Sequence, residues 1–255
     1  MKYNVFTDLE NTLSKSREKL SEEKLALIEK LEHKMNFCIS TASPYSEVKH
    51  FLEINNLNWN YICEAGAYAY FNGLIYQKQF RIPPKQLIPF INDIVFLFYQ
   101  IDGYTYIYNY MPFLEGIYPK YSEKVILNNL SDMKHNLFNQ MYVCIKQAVR
   151  YQFVEIMEKH KIDSSLLMED SKNVFFRLRA KDVNKGYFIP VILKDNNIDF
   201  ESTIGIGDSI EDIALVKKTY KKVAVQNAEP LLLCETDTIT ESVDNDGVFN
   251  YLTNL

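Results

Sequence analysis

The feature that most constrains this chain is an alternation. Short β-forming runs each stop at a polar side chain, and helix-patterned segments lie between them. Tyr3 to Thr7 is a run of β-formers that ends at Asp8. Ser21 then reads as a helix N-cap, with Glu22 and Glu23 in the first turn, where the helix dipole favours negative charge. Leu25, Ile28, Leu31 and Met35 recur at helical spacing. Phe37 to Ser40 is a second strand that ends at Thr41, and Pro44 opens a helix through His50 and Leu52. Tyr61 to Cys63 is a third strand. Asn72-Gly73, between Tyr68-Ala69-Tyr70 and Leu74-Ile75-Tyr76, is a two-residue hairpin signal. Strands alternating with helices predict a doubly wound parallel sheet of Rossmann-like type, covered on both faces.

The rhythm breaks near Arg81, where Pro83-Pro84 punctuates the chain. Residues 81–182 mix pieces of both kinds. Lys85 to Tyr99 and Phe153 to His160 read as helices. Tyr104 to Tyr108, Met141 to Lys146 and Val174 to Leu178 read as strands. The alternation then resumes. Gly186 to Lys194 reads as a helix, Thr203 to Ile206 as a strand running into Gly207-Asp208, Asp212 to Lys218 as a helix and Lys222 to Val225 as a strand. The expected organisation is an α/β core of residues 1–80 and 183–255, with an α+β cap domain, 81–182, inserted between its halves.

Composition narrows the function classes. The chain has 255 residues, 47% of them hydrophobic, enough to bury a sizeable core. Its net charge of −5 argues against a nucleic-acid binder, which needs a basic stripe. A small anionic ligand remains possible, because a bound cation inverts the local field. No apolar run reaches the length of a membrane span. The four cysteines, Cys38, Cys63, Cys144 and Cys234, form no CxxC pair, which disfavours a zinc or thioredoxin-like site. Cys38 and Cys63 stand in apolar runs and are expected to be buried. Together with the lack of a signal-peptide pattern, this predicts a cytoplasmic protein.

In an open α/β sheet, ligands bind at the carboxyl ends of the strands. Four groups stand at such ends or at a following helix start: Asp8-Leu9-Glu10-Asn11-Thr12, Thr41, Lys185-Gly186 and Gly207-Asp208-Ser209-Ile210-Glu211-Asp212. These residue types suit phosphate-ester chemistry. A carboxylate nucleophile divides hydrolysis through an aspartyl-phosphate, but two anions must then approach each other. Mg2+ in an all-oxygen site relieves that repulsion. Asp8 and Asp208 can supply ligands, and Asp212 can support the metal directly or through water. Lys185 can neutralise charge on the transferring group and on Asp8. The Thr41 hydroxyl with loop N–H groups can hold phosphate oxygens. Glu10, two residues past Asp8, shares its face if the strand geometry continues, and can act as acid and base.

Taken singly, each of these motifs has a plain structural reading. DLENT can be an acidic turn, GDSIED a helix cap, Thr41 a loop hydroxyl and Lys185 a surface lysine. Their order and spacing carry the case. The pattern resembles the haloacid dehalogenase superfamily of phosphatases, and within it the Cof-like subgroup with a large α/β cap. That family's DxDxT, Ser/Thr, Lys and GDxxxD appear here as DLENT, Thr41, Lys185 and GDSIED. The resemblance implies Asp8 as nucleophile and Glu10 as acid/base, with the Glu10 carbonyl on the metal. It implies Asp208 and Asp212 at the metal, and Mg2+ as cofactor. Thr41, Ala42, Lys185 and Asn227 are the expected substrate contacts. The substrate class is a small phosphorylated metabolite, such as a sugar phosphate, with neither nucleic acid nor membrane as partner. The chain is expected as a monomer or weak homodimer.

Three departures stand out. Glu10 occupies the family's usual Asp position. Ala42-Ser43 replaces the usual Gly-Arg, so no cationic side chain follows Thr41. Glu211 replaces the usual Asn. Glu10 and the missing cation motivate one alternative, a weakened relative that senses a phosphorylated ligand; a phosphotransferase or mutase, whose phospho-enzyme passes its group to another sugar, is the other. Elsewhere the plain readings prevail. His33, His50, His135 and His160 show no metal spacing. The Tyr104, Tyr106 and Tyr108 rings share one strand face, as core side chains do, and Arg177 and Arg179 read as surface ion-pair formers.

Overall fold

The computed structural model describes residues 2–255. The chain divides into two compact units, one of residues 1–76 and 184–255 and one of residues 77–183. The first unit opens with β1 (Tyr3–Thr7), α1 (Glu22–Glu32), β2 (Met35–Ser40), α2 (Tyr45–Ile54), β3 (Asn60–Cys63), β4 (Tyr68–Phe71) and β5 (Leu74–Gln77). Ser21 caps α1 by accepting the Lys24 N–H, as its side chain predicts. Asn72 and Gly73 both adopt positive φ, 49° and 84°, the conformation that a tight two-residue hairpin turn requires.

The second unit holds β6 (Phe80–Arg81), β7 (Ile94–Ile101), β8 (Tyr104–Tyr108), β9 (Glu123–Leu127), β10 (Leu137–Phe138), β11 (Gln140–Lys146), α3 (Arg150–Lys159), β12 (Ile162–Glu169) and β13 (Asn173–Ala180). Its main sheet has the order β12-β13-β11-β7-β8-β9 and is antiparallel except for the β8–β9 pair. The helix expected over Lys85 to Tyr99 does not form. Two single 3-10 turns, Pro84–Gln86 and Ile88–Phe90, lead instead into β7. Pro89 cannot sit in a helix interior, and Ile94 to Tyr99 is a continuous apolar run rich in β-branched and aromatic residues. Such a run suits a central strand buried on both faces, and β7 lies between β11 and β8. Tyr99 stacks on Tyr106 on one face, while Phe96 and Phe98 pack with Tyr118, Tyr142 and Phe175 on the other. Arg179 pairs with Asp163, whereas Arg177 is buried rather than at the surface.

The first unit resumes with α4 (Ile189–Asp195), β14 (Thr203–Gly207), α5 (Ile213–Val216), β15 (Lys221–Val225), α6 (Pro230–Leu233), β16 (Thr238–Thr240) and α7 (Gly247–Thr253). Helix α4 starts three residues later than its sequence pattern suggests, with Pro190 in its first turn. The eight-stranded sheet has the order β16-β15-β14-β1-β2-β3-β4-β5. It is parallel from β16 to β3, and β4 joins antiparallel. This is the doubly wound α/β architecture that the alternation predicts. From β1 the chain steps outward through β2 and β3. From β14 it steps the other way through β15 and β16. The strand order therefore reverses at the β1–β14 pair, where Val5 opposes Ile204 and Thr7 opposes Ile206. That reversal leaves a crevice beyond the carboxyl ends of those strands. Val5, Phe6, Ile39, Ile204, Ile206 and Val223 are fully buried beneath it, as are Cys38 and Cys63 in the same core.

Candidate active site

All the groups singled out in the sequence lie in the first unit. Asp8 is the residue after β1, and its N–H continues the ladder by donating to the Ile206 carbonyl at 2.9 Å. Beyond it the chain folds back on itself. Leu13 and Ser14 donate to the Leu9 carbonyl, and Asn11 takes a positive φ of 59°. Thr12 is thereby turned inward, and its hydroxyl donates to Asp208 Oδ1 at 2.9 Å. Asp208 follows β14, the strand paired with β1, so adjacent strand ends place these acids together. One carboxylate oxygen each from Asp8, Asp208 and Asp212 lies within 4.8 Å of the others.

Asp212 is fully buried and has an orienting part. Its Oδ2 accepts from the Asp208 N–H, the Ser209 N–H and the Ser209 hydroxyl, at 3.1, 2.9 and 2.9 Å. With Ser209 this forms a capping box that fixes the loop carrying Asp208. Gly207 makes it possible, because a Cβ there would stand 2.3 Å from the Asp212 Cβ. Asp212 Oδ1 accepts from Lys185 Nζ at 2.7 Å, and the same ammonium donates to Asp8 Oδ1 at 2.6 Å. Lys185 is held from behind, since the Ser40 hydroxyl donates to its carbonyl at 2.9 Å. Gly66, at φ +96°, lets this segment approach. A Cβ there would lie 1.9 Å from the Asn184 carbonyl oxygen.

The electrostatics follow from this burial. Desolvation pushes the Asp8 carboxyl well above its ordinary value; Lys185 opposes that shift, and the charges of Asp212 and Glu10 add to it. Burial also raises the Asp208 carboxyl, helped by the Asp212 charge. For Lys185, burial disfavours the ammonium, but Asp8 and Asp212 outweigh it and hold the group above its usual value. Three carboxylates thus share one lysine, and the cluster lacks positive charge. An all-oxygen donor set of this kind suits a hard divalent cation. Asp8 and Asp208 are placed to ligate one directly, whereas Asp212 already accepts four hydrogen bonds.

Glu10 turns toward the end of β2. Its Oε2 accepts from the Thr41 hydroxyl at 3.0 Å and its Oε1 from the Ser43 hydroxyl at 2.7 Å. The Ser43 N–H in turn donates to the Thr41 Oγ1, which orients that hydroxyl.

A model of the haloacid dehalogenase-like hydrolases matches residues 5–252, nearly the whole chain and all of these groups. The chain belongs to that family. Among curated proteins, it is 34% identical over 110 residues to the phosphoglycolate phosphatase of Staphylothermus marinus, which is 43% of this chain and 42% of that protein. It is 27% identical over 94 residues to the 5-amino-6-(5-phospho-D-ribitylamino)uracil phosphatase of Bacillus subtilis, covering 37% of this chain and 38% of that protein. The matched segments span well under half the length of these relatives. Solved structures agree over almost the full length. A protein from Thermotoga maritima superposes with a TM-score of 0.81 at 18% identity, covering 100% of this chain and 98% of that one. A sugar phosphatase of haloacid dehalogenase subclass IIB superposes with a TM-score of 0.73 at 17% identity, covering 99% and 98%. These likenesses establish the fold.

Two features of this family member were not legible in its motifs. A cation does reach the corner beside Thr41: Arg17, in the loop before α1, places its Nε 3.1 Å from Glu10 Oε1. Nothing in the polar, aperiodic stretch Ser14 to Lys19 signals this. Asn227 proves to be a clamp between loops. Its amide donates to the Asn11 carbonyl, and its oxygen accepts the Val243 N–H, both at 2.9 Å.

Proposed function

We propose that this protein is a Mg2+-dependent phosphatase that hydrolyses a small phosphorylated metabolite through an aspartyl-phosphate on Asp8. The observation that carries the proposal is the buried Lys185 ammonium bridging Asp8 and Asp212, with Asp208 alongside. A carboxylate cluster around a fixed cation suits bringing a nucleophilic anion and an anionic phosphate together. Relatives named phosphatases, acting on small phosphate monoesters, support the same reading.

In this mechanism Asp8 attacks phosphorus through a carboxylate oxygen, and the bond to the ester oxygen breaks. Protonated Glu10 gives its proton to the departing alkoxide. Glu10, now ionised, takes a proton from water as that water attacks the phospho-enzyme. The bond to Asp8 then breaks and inorganic phosphate leaves. Lys185 balances charge on Asp8 and the transferring group. The Ala42 main chain holds phosphate oxygens, joined by the Thr41 hydroxyl once it leaves Glu10. Asp8, Asp208 and the Glu10 carbonyl would hold the metal, with Asp212 supporting it. When bound, the metal supplies Lewis-acid neutralisation of the two approaching anions. Asn227 keeps the Asp8 loop in place. The cytoplasm is the proposed setting. Among the described residues no helix is long and apolar enough to cross a membrane.

The test is hydrolysis of an aryl phosphate and a panel of sugar phosphates and nucleotides, in Mg2+ or EDTA, by wild type and Asp8→Asn. Metal-dependent turnover that disappears in Asp8→Asn is the expected result. Absence of turnover in folded, metal-loaded protein would refute the enzyme and favour a phosphate-ligand sensor.

A further inference from the structure

Glutamate at position 10 raises a problem of geometry. A general acid must sit within hydrogen-bond reach of the leaving oxygen, and Glu has one more rotatable bond than Asp. The added freedom has to be removed for the carboxyl group to be preorganised. Thr41 and Ser43 supply two hydroxyl donors. The third contact is different in kind. Arg17 Nε lies 3.1 Å from Glu10 Oε1, while its Nη1 donates to Glu47 Oε2 at 2.9 Å and to the Ser43 hydroxyl at 3.4 Å. Glu47 stands in the first turn of α2 and is buried. The α2 end therefore anchors one edge of the guanidinium, and another edge reaches Glu10. A planar group with several fixed donors is well suited to spanning two carboxylates from separate edges.

We propose that Arg17 is a positioning residue that, braced by Glu47 and Ser43, holds the Glu10 side chain where it can protonate the leaving group. The inference rests on the reading of Glu10 as acid/base. It also accounts for the absence of a cation after Thr41: the guanidinium reaches the same corner from the loop before α1. Arg17 touches no reacting atom and acts only through Glu10.

The test uses two esters of matched shape, p-nitrophenyl phosphate and phenyl phosphate. Phenol, with a pKa near 10 like the tyrosine side chain, needs protonation as it leaves, and the far more acidic nitrophenol needs it much less. The readout is kcat/KM, which covers the steps up to formation of the phospho-enzyme. Glu10→Gln is expected to lose at least about tenfold more activity on phenyl phosphate than on the nitrophenyl ester, within the usual range for general acid catalysis. Arg17→Ala should show the same asymmetry, with a loss on phenyl phosphate of about 10²-fold, as expected for a misplaced catalytic group. Arg17→Lys keeps the charge but not the fork and should fall between. If Arg17→Ala does not fold, the asymmetry in Arg17→Lys decides. Equal losses on both esters, or none, in the Arg17 variants would overturn the inference while leaving Glu10's part intact. A Glu10→Gln variant without asymmetry would overturn the reading of Glu10 and the inference with it.

Discussion

Replacing Lys185 with Met should destabilise the protein in a pH-dependent way. The Lys185 ammonium lies 2.6 Å from Asp8 Oδ1 and 2.7 Å from Asp212 Oδ1, and the three side chains are 6%, 4% and 0% exposed. Methionine fills much of the same volume but leaves two carboxylates without their cation. Breaking a buried pair by removing one partner costs about 3–5 kcal/mol. Asp212 keeps three donors on its other oxygen, so most of the penalty falls on Asp8. In a chain of this size the loss corresponds to a fall in Tm of about 6–20 °C. The pH dependence has a definite sign. Burial already raises the Asp8 carboxyl, and Lys185 is the opposing influence, so its removal raises that group further. An acid whose folded pKa lies above its unfolded value loses stability as pH rises from the unfolded value through the folded one. The deficit of Lys185→Met should therefore be larger at about pH 8 than at about pH 5.5, because lower pH favours the protonated Asp8 carboxyl. Urea unfolding of wild type and variant at both pH values, in EDTA to exclude metal, measures this directly. A variant as stable as wild type at both pH values would refute the argument.

Two further outcomes follow from close backbone approaches. Gly207→Ala places a Cβ 2.3 Å from the Asp212 Cβ, so Asp212 must move and its grip on the Asp208 loop is lost. The expected result is a disproportionate loss of Mg2+ binding, read as disappearance of the Mg2+-induced rise in Tm, with turnover falling by about 10²-fold. Gly66→Ala combines a φ of +96° with a Cβ 1.9 Å from the Asn184 carbonyl oxygen. It should cost about 4 kcal/mol or more, measured by denaturant unfolding, because strain and overlap add at one site.

The site and the fold were legible to different depths. Asp8, Thr41, Asp208 and Asp212 stand at strand ends or helix starts, whereas Lys185 lies in the turn before α4, and the β1–β14 pairing brings the first and fourth motifs together as the open-sheet rule anticipates. The Ser21 cap and the Asn72-Gly73 turn were readable because each depends on the local chemistry of one or two residues. The segment Lys85 to Tyr99 misled, because a continuous apolar run has no periodicity to separate a buried helix from a strand buried on both faces. The neighbours β11 and β8 decided it.

By itself the sequence determined the alternating architecture, the identity of the acidic and basic groups and their order along the chain. These follow from backbone propensities and side-chain chemistry that act over a few residues. Tertiary structure alone decided that Arg17 meets Glu10, that Asn227 ties Asn11 to Val243, and that Asp212 shares Lys185 with Asp8. Asn227 and Asn11 stand 216 positions apart in the chain, and Lys185 and Asp8 stand 177 apart. Such contacts depend on where loops are carried by packed strands and helices, and no local pattern of residues encodes that position.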